Sequence, residues 1–313
     1  MISFGIDTSN YTTSVAFYDG DTGKFEHNRR LLNVKNGETG LRQSDAVFKH
    51  TIQLPEITKE LFSGKNTVPD VIAVSVSPRD AQGSYMPCFT VGVCAAETAG
   101  AFFGVPVIGF SHQAGHIAAA LVSAGRLDML EREFLAFHVS GGTTEAVLVV
   151  PDSEKIMKIT PVASSLDLHA GQAVDRVGNM LGLPFPSGKD MDEMSRKSDR
   201  EFKIHPFIRD NSCSLSGVEN KCERMLKDGE KPEDIAKFCI MFIMASLEKM
   251  TDGLLEKYPG LPLVYSGGVM SNSLIRERFS EKYGAVFARD GLSADNAVGT
   301  AVLGALKQGG RKL

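Results

Sequence analysis

The chain has 313 residues, 42% apolar and 23% charged, with a formal net charge of -4, which is ordinary for a soluble globular protein. That length can bury a sizeable core, as one large domain or as two lobes. No apolar run reaches membrane-spanning length, and nothing in the charge balance announces a nucleic-acid binder, so a membrane partner is not expected.

The N-terminus opens directly on the strand-like Ile2-Ser3-Phe4-Gly5-Ile6 with no signal peptide, and the expected compartment is the cytoplasm. Residues 2–6, 13–18 and 25–32 predict three strands, the last two joined by the turn-rich Asp19-Gly20-Asp21-Thr22-Gly23. A small polar turn, Asp7-Thr8-Ser9-Asn10-Tyr11-Thr12, is expected between the first two. A helix over 44–62, with a kink at Pro55, a strand over 70–76 and a small-residue helix over 88–103 follow. The strand at 105–110 then delivers Phe110-Ser111-His112-Gln113-Ala114-Gly115-His116 to its carboxyl end, where open α/β folds place their sites. His112 and His116 are four apart, so both imidazoles leave one face of a helix, either as half of a zinc or iron site or as a pair of surface histidines, one of them capping the helix.

The three-strand unit recurs at 134–139, 144–150 and 156–162, about half a chain later, with Ser140-Gly141-Gly142-Thr143 as the small turn. A helix over 171–181 ends in the breaker-rich loop 182–188. A long helix over 232–258, a strand over 261–265 ending in Ser266-Gly267-Gly268, a helix over 273–282 and a closing helix over 294–307 complete the chain. The two Gly-Gly turns, Gly141-Gly142 and Gly267-Gly268, let backbone N–H groups approach an anion, with the helix after Asn272 adding its dipole. Asp7-Thr8-Ser9 holds the equivalent place in the first half, so Asp7 and Ser9 are the candidate catalytic residues there. No Walker-type lysine motif or G-x-G-x-x-G is present. Asp175, on the 171–181 helix, is a candidate acceptor for a ribose hydroxyl or a solvated helix charge. Asp295 is a helix N-cap or a third, hard metal ligand. Five cysteines, Cys88, Cys94, Cys213, Cys222 and Cys239, form no C-x-x-C pair and read as reduced thiols.

Six motifs in order resemble the tRNA threonylcarbamoyladenosine transferase family. They are Gly5-Ile6-Asp7-Thr8-Ser9, His112-Gln113-Ala114-Gly115-His116, Val139-Ser140-Gly141-Gly142, Gly171-Gln172-Ala173-Val174-Asp175-Arg176, Ser266-Gly267-Gly268-Val269-Met270-Ser271-Asn272 and Ala294-Asp295-Asn296-Ala297. The resemblance implies an α/β, two-lobed actin-like/Hsp70-like ATPase fold with duplicated RNase H-like lobes. The lobes are expected at 1–111 plus 293–313 and at 112–292, with a cleft between them. His112, His116 and Asp295 match the family's metal ligands, for iron or zinc. His138, Val139, Ser140, Gly141, Gly142, Asp175, Gly188 and Asn272 match its nucleotide contacts. The implied activity is metal-dependent transfer of threonylcarbamoyl, or carbamoyl, from an adenylate to an adenine of tRNA. ATP or the adenylate would be the substrate, with magnesium as its companion, and partner subunits would complete a heteromeric assembly.

The chain also departs from the pattern. Asn10-Tyr11-Thr12 stands where the family carries Cys-Asp-Glu, Thr143 replaces a histidine, and Gln172 replaces an acid. The stretch 77–85 replaces a Gly-Pro-Gly-Leu loop, so the chain resembles a divergent paralogue. A non-catalytic nucleotide-binding subunit and a carbamoyltransferase with a small acceptor are the alternatives. A metalloprotease is disfavoured because Gln113 stands where a water-activating glutamate is needed, and a sugar kinase would not need the paired histidines.

Overall fold

A computed structural model describes residues 1–9, 11–32, 41–65, 67–289 and 297–309. The chain divides into two compact units, Met1–Arg132 with Pro151–Ile159 and Gly291–Leu313, and Glu133–Val150 with Thr160–Asp290.

In the first unit, β1 (Ile2–Ser9), β2 (Thr12–Asp19) and β3 (Phe25–Leu31) form an antiparallel meander. β4 (Val71–Ser77) pairs parallel to β1, and β5 (Val107–Ser111) parallel to β4, for a sheet order β3-β2-β1-β4-β5. Because side chains alternate along a strand, β1 serves two faces. Phe4 and Ile6 join an apolar cluster with Phe17, Ile57 and Leu61, under α1 (Gln43–Phe62) and α2 (Phe89–Phe103). Helix α1 runs through Pro55 as one element. On the other face Gly5 admits α9 (Val298–Gly309), since a Cβ there would meet the Ala297 carbonyl at 2.4 Å. Helix α3 (His112–Ala124) packs on α9 and so belongs to this unit, although it lay beyond the break expected at residue 111.

The second sheet repeats the order. β6 (Phe134–Val139), β7 (Thr144–Asp152) and β8 (Ile156–Ser164) stand next to β11 (Leu263–Ser266) and β12 (Val286–Phe287), as β12-β11-β6-β7-β8. Three meandering strands followed by two parallel ones thus occur twice, as the strand repeat in the sequence predicts. Helices α4 (Ala170–Met180), α5 (Gly188–Ser195), α6 (Gly217–Lys227), α7 (Pro232–Lys257) and α8 (Ser273–Tyr283) complete this half. A two-stranded ribbon of β9 (Ile208–Arg209) and β10 (Ser212–Cys213) lies before α6. Among the described residues no helix is long and apolar enough to cross a membrane.

Two features differ from expectation. Asp7, Thr8 and Ser9 are strand rather than turn, because β1 keeps its register with β2 as far as Ser9↔Thr12. The stretch between the 182–188 loop and the helix at 232, for which no helix was expected, contains α5 and α6. Each buries only two residues, Met191 and Ser195 or Val218 and Cys222, too few to make a periodic apolar signal.

Candidate functional site

Helix α3 begins directly after β5, with Ser111 as its N-cap accepting from the Ala114 N–H at 3.2 Å. The loop after β4 grips this end: Ser111 Oγ donates to Asp80 Oδ2 at 2.9 Å, and the Gln113 N–H to the Pro78 carbonyl at 3.1 Å. The rings of His112 and His116 lie 4.3 Å apart at 69°, as the i, i+4 spacing requires. His112 Nδ1 is 2.7 Å from Asp7 Oδ2. A carboxylate there only accepts, so Nδ1 carries the proton and the ring is held as one tautomer.

Asp7, only 1% exposed, also accepts from the Ser9 N–H and from Ser75 Oγ, both at 2.8 Å; Thr300 Oγ1 stands 3.2 Å from Ser75 Oγ. Asp7 therefore acts on the imidazole from inside the sheet, as carboxylates do behind metal-ligating histidines. Ser9, its partner as a candidate catalytic residue, is 3% exposed, and its Oγ is a buried oxygen with no hydrogen-bond partner among the described residues. Burial and the nearby Asp7 charge push the Cys88 thiol up to about 11, so it is held as the neutral thiol at pH 7. Among the described residues no three His, Cys, Asp or Glu side chains form a metal-holding group. Asp295, the third expected ligand, lies outside those residues. The two imidazoles, one of them locked by a carboxylate, suit a borderline metal such as zinc or iron.

The second unit holds a cavity of about 490 Å³, large enough for a nucleotide. Of the expected contacts, Ser140, Gly141, Asp175, Gly188, Gly268 and Asn272 line it. Gly171 lets α4 close on the Ser140 turn, since a Cβ there would meet Gly141 N at 2.4 Å. Ser140 Oγ accepts from the N–H groups of Gly142 and Thr143, at 3.3 and 3.1 Å, so part of the expected anion nest is satisfied by its own serine. Gly267, at φ 97°, faces the Val139 carbonyl, where a Cβ would stand 2.3 Å away. That close backbone approach explains Gly267 and the buried Val139 without a ligand. His138 Nδ1 lies 3.1 Å from Ser266 Oγ, across the paired ends of β6 and β11.

Asp175 Oδ1 accepts the Ser187 N–H at 2.8 Å, which anchors the loop into α5. Asn272 caps α8 through Oδ1, leaving Nδ2 a buried donor with no hydrogen-bond partner among the described residues. Gln172 accepts the His169 N–H at 3.3 Å and so caps α4, a task an amide performs as well as an acid. Sequence reasoning missed Ser75, Thr300 and Asp80. The signal available for Ser75 is a hydroxyl inside the apolar Ile72-Ala73-Val74-Ser75-Val76; Asp80 gives none before its loop is folded.

Taken with the repeated sheet order, the fold is that of the actin-like/Hsp70-like ATPase class. The crystal structure of full-length HypF in its phosphate- and nucleotide-bound form matches 98% of this chain and 56% of its own at a TM-score of 0.59 and 14% identity. A ROK hexokinase from Thermus thermophilus matches 99% of each chain, at 0.51 and 13%; with both, the shared property is the fold. The family model for TsaD, tRNA N6-adenosine threonylcarbamoyltransferase, matches residues 31–302, and the chain belongs to that family of transferases. A relative from Sulfurihydrogenibium sp., named tRNA N6-adenosine threonylcarbamoyltransferase, is 30% identical over 292 residues, 89% of this chain and 82% of that protein.

Proposed function

We propose that this chain moves a threonylcarbamoyl group from an adenylate to an adenine of tRNA. In this reading His112, His116 and Asp295 hold one transition metal, iron or zinc, and the adenylate occupies the cavity of the second unit. The observation that carries it is the Asp7–His112–His116 arrangement in a member of this family. A bound metal would supply Lewis-acid polarisation of the transferred carbonyl. Asp7 keeps His112 in the Nδ1–H form, so that ligation falls to Nε2, and Asp80 with Pro78 fixes the helix end that carries the ring. The N-termini of α5 and α8, which reach the cavity at Gly188 and Asn272, favour negative charge on the departing adenylate.

The direct test supplies threonylcarbamoyl adenylate and unmodified tRNA to the metal-loaded chain, with its co-purifying subunits, and analyses the nucleosides by mass spectrometry. Threonylcarbamoyladenosine is expected; tRNA that stays unmodified under these conditions overturns the reading.

Asp7→Asn is expected to weaken metal affinity by roughly 10- to 100-fold, the usual effect of losing a carboxylate behind a ligating histidine. The amide no longer gives the Nδ1–H a charged acceptor. A competition titration with a zinc chelator measures it, and an unchanged affinity removes Asp7 from this role.

The isolated chain is expected to bind tRNA poorly, because affinity for nucleic acid comes largely from Lys and Arg at phosphates. The most charged stretch, 189–231, holds ten Lys or Arg against ten Asp or Glu. Several are already paired, as in Arg176–Glu219, Lys227–Glu223 and Arg200–Glu230. Partner subunits would then supply the basic surface. Filter binding at physiological salt decides: affinity near the ~10⁻⁸ M of specific complexes would contradict this expectation.

A further inference from the structure

Among the residues lining the cavity of the second unit, Lys189 carries the positive side-chain charge. Lys189 lies in the first turn of α5, where a cation opposes the helix dipole instead of complementing it. Its ion pair with Glu193 is long, 3.9 Å, and the lysine side chain is 87% exposed, so the pair adds little to stability. The other charged residues of the wall are two carboxylates, Asp175 and Asp192. Each has an oxygen engaged in starting a helix: Asp175 takes the Ser187 N–H before α5, and Asp192 takes the N–H and Oγ of Ser273, at 3.2 and 2.8 Å, on α8.

The electrostatic balance therefore turns on the lysine. Two helix N-termini contribute about half a positive charge each, which offsets only one of the two carboxylates. Without Lys189 the lining residues carry a net negative charge; with it they come close to neutral, and the exposed lysine side chain is held only by the long Glu193 pair. A second observation points to a ligand that brings a hydrogen-bond acceptor. Asn272, in the same wall, is 8% exposed, its Oδ1 is fixed by the α8 cap, and its Nδ2 is a buried donor with no hydrogen-bond partner among the described residues. A donor in that position is satisfied only when an acceptor arrives.

We propose that Lys189 sets the specificity of this cavity for phosphorylated over unphosphorylated adenosine, its ammonium pairing with a phosphate of the ligand. This rests on the nucleotide reading of the cavity and adds the residue that selects within it. The ligand chemistry is a phosphate ester of adenosine, whether the phosphate is carried at the 5′ or at the 2′ or 3′ position.

Isothermal titration of the full chain with adenosine, 5′-AMP, ADP, 2′-AMP and 3′-AMP, in wild type and in Lys189→Gln and Lys189→Arg, tests it. Lys189→Gln is expected to leave adenosine binding unchanged and to weaken the phosphorylated ligand roughly fivefold to tenfold, the discounted effect of a charge-assisted contact at an exposed rim. Lys189→Arg is expected to retain most of the affinity, and the series that loses affinity identifies the phosphate. An equal loss for adenosine, or no loss for any phosphorylated ligand, overturns the proposal while leaving the cavity's assignment standing. Wild-type protein that binds none of the five overturns that assignment itself, and the proposal with it.

Discussion

The double variant His112→Ala/His116→Ala is expected to retain no stoichiometric transition metal and to transfer no threonylcarbamoyl group, while remaining folded. In the proposed metal site two of three protein ligands are removed at once, and a lone carboxylate is a poor site for zinc or iron. The fold survives because neither ring is part of the buried apolar core. Asp7 loses its imidazole partner but keeps the Ser9 N–H and Ser75 Oγ, so its burial stays compensated. Elemental analysis after dialysis, paired with circular dichroism, measures both halves. Full metal retention in the double variant would place the metal elsewhere.

The second large effect is structural. Gly299→Ala is expected to destabilise the first unit by about 3 kcal/mol or more, the upper end of overpacking in a rigid core. The new Cβ would meet Gly115 O and, at 2.6 Å, Ala119 N, so α9 and α3 are in backbone contact at this point. Backbone atoms of a helix do not step aside as a flexible side chain does, so the helices must separate. Helix α9 also packs on β1, β2 and β4, which resists that movement. Because α3 carries His112 and His116, the variant should lose metal affinity along with melting temperature. Gly141→Ala is the control: nothing lies within 4 Å of a Cβ there, and its melting temperature should stay near wild type. A Gly299→Ala melting temperature equal to that of the control would show that the helix contact is looser than described.

Much of this was legible in the chain. The paired strand units at 2–32 and 134–164 carry apolar runs bounded by Asp, Gly and Pro, and a strand signal of that kind survives without tertiary context. The i, i+4 histidines are legible for a similar reason, since helix geometry alone sets their rings side by side. The charged stretch 189–231 was not, because α5 and α6 are held by two buried residues each and by contacts with α7 and α4. Local periodicity is too weak to reveal such helices.

The roles of single polar residues divide along the same line. Spacing and residue type by themselves determined the repeated three-strand unit, the histidine pair and the small turns around Ser140 and Gly267, since each depends on neighbours a few positions away. Only the tertiary structure decided that Asp7 is a buried strand residue behind His112, 105 positions later, and not a group in an open turn. It also decided that Gly267 answers to Val139, that Asp80 reaches Ser111, and that Lys189 stands at the rim of a cavity. A carboxylate's task depends on which donor the fold brings within 3 Å of it, and that donor is set by sheet order and helix packing, on which the local sequence is silent.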